Sequence, residues 1–142
     1  MKDGPVPGLN GIVETALYVE DVNRSIRFYT DLFRMTVLYA EEEFCALGAG
    51  GKDVLLFFHK GYALKPSVMP GGVIPPHDAA GAQHIGFSIN RSELPAWEMR
   101  LNEHNVAIES RVSWPLGGES LYFRDPDNHL LELLTPGVWT VY

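Results

Sequence analysis

The sequence predicts an α+β fold made of two copies of one unit: a strand, a helix and three further strands. Three observations predict it. The same order of periodicities is read twice along the 142 residues. A stretch rich in proline and glycine separates the two readings. In both halves polar residues interrupt an apolar row at corresponding places.

The first unit spans about 11–60. Residues 12–19 alternate, with Val13, Thr15, Leu17 and Val19 on one face and Glu14, Ala16 and Tyr18 on the other, the period of a half-buried strand. Asp21 can cap a helix in which Val22, Ile26, Tyr29 and Phe33 recur at helical spacing. Three strands are expected near 35–41, 43–48 and 52–60. Residues 61–82 then hold Pro66, Pro70, Pro75 and Pro76 with Gly61, Gly71, Gly72 and Gly81, which is linker chemistry. The second unit spans about 83–137. In residues 83–90, Ile85, Phe87 and Ile89 oppose His84, Gly86 and Ser88, and Ser92 can cap a helix carrying Leu94, Trp97 and Leu101. Strands near 106–114, 119–124 and 129–135 complete it. The two units and their linker are expected to form a single domain over 1–142.

Laid on each other, the halves place Glu14 on His84, and residues 53–61 on 129–137, so that Leu56 falls on Glu132. Glu132 is the oddest residue, a carboxylate inside a run of leucines, where it is costly unless paired or bound to a metal. Glu14, His84 and Glu132 share the parity opposite to the aliphatic rows, and their oxygen and nitrogen donors suit a divalent ion such as Mn, Fe, Co, Ni or Zn. A solvated sheet face would show the same alternation, so the residues alone leave both readings open.

Composition narrows the partners. Apolar residues make up 46% and charged residues 20%, and 11 basic against 18 acidic side chains leave a net charge of −7. Nucleic acid and anionic membranes are poor partners for such a chain. No apolar run has the length of a membrane helix, and no secretory segment is read at the start. The single cysteine, Cys45, excludes an internal disulfide. A reducing, cytoplasmic compartment is expected. Asp125-Pro126-Asp127-Asn128 reads as a turn rather than a site, and His129 as structural.

The stretch Tyr122-Phe-Arg-Asp-Pro-Asp-Asn-His-Leu-Leu-Glu132 resembles the terminal signature of the glyoxalase/bleomycin-resistance/extradiol-dioxygenase (vicinal oxygen chelate) superfamily. Leu17-Tyr-Val-Glu-Asp-Val-Asn-Arg-Ser-Ile-Arg-Phe-Tyr29 resembles its first strand-to-helix step, and the resemblance covers roughly residues 11–137. It implies two βαβββ modules whose curved mixed sheets form a cup around a metal. It also implies metal ligands at Glu14, His84 and Glu132, with a fourth position at Leu56, which cannot coordinate. The missing fourth ligand disfavours lactoylglutathione lyase chemistry. The family's fosfomycin-modifying members share Ser120 and Tyr122 but carry a threonine at Ala16 and a basic residue beyond the last strand. A phosphonate therefore lacks its cationic clamp here.

Ser120 and Tyr122 match positions that contact substrate in the family, and Glu14 and Tyr122 are the catalytic candidates. Tyr18 and Ser88 share the parity of Glu14 and His84 and are candidates for lining the cup. His77 in the linker could close over it, and Arg111 and Trp114 could bind an anion or a ring. A homodimer is implied, with cups often completed across the interface by exchanged modules, and the linker 61–82 is long enough for either that exchange or an intrachain pairing. Two functions compete: a metal-dependent lyase, isomerase or dioxygenase acting on a small oxygen-bearing substrate, and a metal-free ligand-sequestering protein of the bleomycin-resistance type. The intact set Glu14, His84 and Glu132 favours the enzyme, although the position of Glu14 is usually His in the family.

Overall fold

The computed structural model describes residues 3–142. The first unit consists of β1 (Glu14–Val19), α1 (Val22–Phe33), β2 (Thr36–Ala40), β3 (Phe44–Gly50) and β4 (Asp53–His59). A short hairpin, β5 (Ser67–Met69) and β6 (Gly72–Ile74), interrupts the linker. The second unit consists of β7 (His84–Ser88), α2 (Leu94–Glu103), β8 (Ser110–Ser113), β9 (Glu119–Arg124) and β10 (Leu130–Leu134). Each unit folds into one mixed sheet, ordered β1-β4-β3-β2 and β7-β10-β9-β8. In both, the first strand lies parallel to the last and the other neighbours are antiparallel.

The strands follow the alternation of their side chains. Leu17 and Val19 of β1, Leu55 and Phe57 of β4, and Leu131 and Leu133 of β10 are buried, while their alternates face away. Helix α1 begins as its sequence dictates: the Asp21 carboxylate accepts the Arg24 backbone N–H at 3.1 Å. Helix α2 does not. It starts at Leu94, with Glu93 at its N-cap and no side-chain cap, because Ser92 is taken up in a 3₁₀ turn over Arg91–Glu93. Three further expectations change. The first strand starts at Glu14 rather than residue 12, since the exposed Ile12 and Val13 precede it. The strand near 106–114 shrinks to Ser110–Ser113, because Val106 N–H instead bonds back to Leu101 at the end of α2. The linker holds a 3₁₀ turn (Tyr62–Leu64) and the β5–β6 hairpin.

One apolar core runs through both units. Phe33 at the end of α1 meets Phe87, Trp97 and Phe123 of the second unit. The Asp125–His129 turn reaches back from the second unit to clasp the first. Asp125 accepts the Tyr29 hydroxyl at 2.7 Å and the backbone N–H groups of Asp127 and His129, both at 2.9 Å. Asp127 accepts the Glu20 N–H and the Arg24 guanidinium. His129 is fully buried between the Tyr18 carbonyl, 2.8 Å from Nε2, and the Gln83 N–H, 2.9 Å from Nδ1. The motif that looked like a local turn is a clasp between the units.

Cys45 of β3 sits in this core, and burial pushes its thiol from 9.0 up to about 11. Above pH 9 the unfolded thiol loses its proton while the folded one keeps it. The group therefore contributes full stability below about pH 9 and loses it as pH rises to about 11. Urea melts at about pH 8 and about pH 10 should show a loss of roughly 1 kcal/mol that is absent in Cys45→Ala. An equal loss in both proteins would refute this.

Candidate metal site

Glu132 lies on β10 opposite Gly86 of β7 and Tyr122 of β9, on the sheet face turned away from the helices. Its side chain is only 9% exposed. Oε2 is saturated: it accepts the Ser120 hydroxyl at 2.5 Å and the Tyr122 hydroxyl at 3.0 Å. Burial, and then the bond to Glu132, push the Tyr122 hydroxyl above its ordinary value, so it stays a donor.

Oε1 is left for His84, whose Nε2 lies 3.3 Å away. The other imidazole nitrogen, Nδ1, lies 2.8 Å from the Leu130 carbonyl oxygen. A carbonyl can only accept, so Nδ1 carries the hydrogen. In a neutral imidazole Nε2 then offers a lone pair to a carboxylate oxygen, two acceptors face to face. Only positive charge completes this arrangement, either as an imidazolium or as a cation held by both atoms. Gly86 keeps the space open, since a Cβ there would lie 3.6 Å from Oε1 and 3.0 Å from Leu134 Cδ2. An oriented imidazole, a carboxylate with one free oxygen and bare backbone beside them fit a divalent ion.

The overlay of the two units holds at the level of register. Leu56 pairs with Ala16 as Glu132 pairs with Gly86, so Leu56 occupies the position equivalent to Glu132. It is half-buried and faces away from Leu55 and Phe57, which are in the core. Glu14, the equivalent of His84, is exposed and stands apart from it. The edge strands β1 and β7 run in opposite directions. Tyr18 N–H donates to the Gln83 side chain at 3.2 Å, just ahead of His84. At the other end Val13 and Thr15 share a 490 Å³ cleft with Phe87 and Ser88. Glu14 is four residues, about 13 Å, along β1 from Tyr18, beside which His84 lies. Among the described residues, no third His, Cys, Asp or Glu joins the His84–Glu132 pair.

Other candidates scatter. The Tyr18 hydroxyl lies 2.5 Å from His77 Nδ1, and the His77 ring stands edge-on to Phe58, so this part of the linker packs against the first sheet. Ser88 meets the Tyr142 hydroxyl at 2.6 Å. Arg111 is not brought to the site. Its register partner is the core residue Leu121, and its guanidinium lies 3.6 Å from Glu98 of α2. The Trp114 indole N–H donates to Ser120 Oγ at 2.8 Å. Two contributors carried no sequence signal of their own. Gln83 and Gly86 matter only through the strand beside them.

A family model described as the Glyoxalase/Bleomycin resistance protein/Dioxygenase superfamily matches residues 11–133. The chain belongs to that superfamily. Among its relatives is the metallothiol transferase FosB of Staphylococcus saprophyticus, 31% identical over 82% of this chain and 71% of that protein. The FosB of Bacillus licheniformis is 29% identical over 98% and 82%. A catechol-2,3-dioxygenase of Bacillus subtilis is 31% identical over 82% of this chain but only 38% of its own length. Among solved structures, a lactoylglutathione lyase from Agrobacterium tumefaciens superposes with a TM-score of 0.84 at 27% identity, covering 94% of this chain and 99% of that one. Superfamily membership thus agrees with the paired βαβββ architecture. No helix among the described residues is long and apolar enough to cross a membrane.

Proposed function

We propose that this chain is a metalloenzyme of the superfamily. In this reading His84 and Glu132 of one chain, with Glu14 of a second copy, hold one divalent ion. The observation that carries it is His84 Nε2 lying 3.3 Å from Glu132 Oε1, with Nδ1 turned to the Leu130 carbonyl, beside bare Gly86. The opposed edge strands separate Glu14 from that pair within one chain. A two-fold pairing of sheet faces would bring it to the pair of the other chain, twice over. Relatives named as metallothiol transferases, a dioxygenase and a lactoylglutathione lyase support a metal-dependent reaction.

A bound divalent ion would polarise substrate oxygens that chelate it. The chain's own residues then do the rest. Tyr122 keeps its proton and can donate toward a substrate oxygen once its own hydroxyl rotates away from Glu132. Tyr18 with His77 closes the far end of the first sheet face, and Ser88 offers a hydroxyl on the second. Among the described residues, the one Lys or Arg on the site face of the strands, Arg124, is spent on Glu109 at 2.8 Å. A small neutral chelating substrate, such as a diol or hydroxy-ketone, suits this face better than a phosphonate.

Metal analysis after dialysis against a divalent salt should find one ion per chain in the wild type and none in His84→Ala. Sedimentation should give twice the 15.8 kDa chain mass. Co-refolding Glu14→Ala with His84→Ala chains should restore about one site for every four chains, because each mixed dimer regains one intact pair of faces. No recovery would refute the shared site, and a metal-free wild type would refute the metalloenzyme.

A further inference from the structure

We propose that Trp114 is a positioning residue that, through Ser120, holds the Glu132 carboxylate so that Oε1 alone is presented to the metal. This rests on His84 and Glu132 being ligands. An indole N–H can only donate. Its bond to Ser120 Oγ at 2.8 Å therefore takes a lone pair of that oxygen and leaves the hydroxyl hydrogen to point elsewhere. It points to Glu132 Oε2, 2.5 Å away. Ser120 is 1% exposed, so water does not compete for it. With Tyr122 as the second donor, Oε2 is satisfied and the carboxylate plane is fixed.

The indole is itself seated. It follows β8 at the start of a turn closed by Trp114 N–H to Gly118 O at 2.8 Å and Gly117 N–H to Trp114 O at 2.9 Å. That turn is locked in place, because Gly118 N–H bonds to Gly137 O and a Cβ on Gly118 would lie 2.5 Å from the Gly137 carbonyl carbon. The direction of the chain Trp114–Ser120–Glu132 is thus set by the backbone. Ser120, matched by resemblance to a substrate contact, has its hydrogen and one lone pair committed.

Without the indole the Ser120 hydroxyl is free to turn, and Glu132 can swing to bind with both oxygens. Titrating the metal-free protein with Co²⁺ alone reads this directly. Trp114→Phe and Ser120→Ala should each weaken Co²⁺ binding roughly 10–100-fold. Both should lower the intensity of its visible absorption, as the coordination number rises. Ser120→Thr, which keeps the hydroxyl, should retain the wild-type spectrum. The double variant should lose no more than Ser120→Ala alone, since the indole acts only through Ser120. A wild-type spectrum and affinity in Trp114→Phe, or an additive loss in the double variant, overturns the proposal. If Trp114→Phe does not fold, an unchanged spectrum in Ser120→Ala overturns it alone. A wild-type protein that binds no Co²⁺ instead overturns the metal site on which it rests.

Discussion

Glu132→Gln is expected to keep the fold and lose the metal. The carboxamide oxygen can take the place of Oε2 and accept from Ser120 and Tyr122. The amide nitrogen then stands where Oε1 stood, 3.3 Å from His84 Nε2, and donates a hydrogen to its lone pair. The two facing acceptors become a donor and an acceptor, and the gap that called for a cation closes. Metal affinity should fall by more than about 100-fold, since changes to groups behind a ligand already cost 10–100-fold. The melting temperature in chelator should equal or exceed that of the wild type. Glu132→Ala should lose the metal too, but it strands the Ser120 and Tyr122 donors and costs about 1–3 kcal/mol. A glutamine variant that still holds one ion per chain would remove Glu132 from the ligand set.

Asp125→Ala should be among the most destabilising single changes, at about 3 kcal/mol or more, without touching the metal site. It strips three donors of their acceptor at once: the buried Tyr29 hydroxyl and the N–H groups of Asp127 and His129. Tyr29→Phe removes only one of those bonds, leaves Asp125 with two, and should cost about 1 kcal/mol. Urea denaturation of both variants provides the comparison. Equal costs would mean that the clasp adds nothing beyond its first bond.

These two positions show what the sequence made legible. The sheets were readable because Leu17 and Val19, Leu55 and Phe57, and Leu131 and Leu133 obey the two-residue period of a half-buried strand. The repeat was readable because register preserved it, with Leu56 against Ala16 as Glu132 is against Gly86. Element ends were less so. Ser92 has the chemistry of a cap, yet a 3₁₀ turn places Glu93 there, a choice made by packing rather than propensity. Asp125 and Asp127 looked local because turn chemistry alone explains them, and their bonds to Tyr29 and Arg24 span about a hundred residues. The face of Arg111 was hidden for a similar reason. Its parity follows Leu121, and a four-residue strand gives alternation too little length to declare a face.

The opposed edges β1 and β7 have a consequence for how the molecule breathes. In a strand bonded on one side, every second amide hydrogen points outward. Tyr18 N–H is one of these, and Gln83 accepts it. Those of Ala16 and Glu14 point the same way, toward the cleft lined by Val13, Thr15, Phe87 and Ser88. Native-state hydrogen exchange should therefore grade along β1, with Tyr18 slow and Ala16 faster, although both belong to one continuous strand. The seam between the units is fastened at the His129 end and open at the Ser88 end. Thermal excursions should unzip it from that open end, and a second chain seated over both faces would slow them.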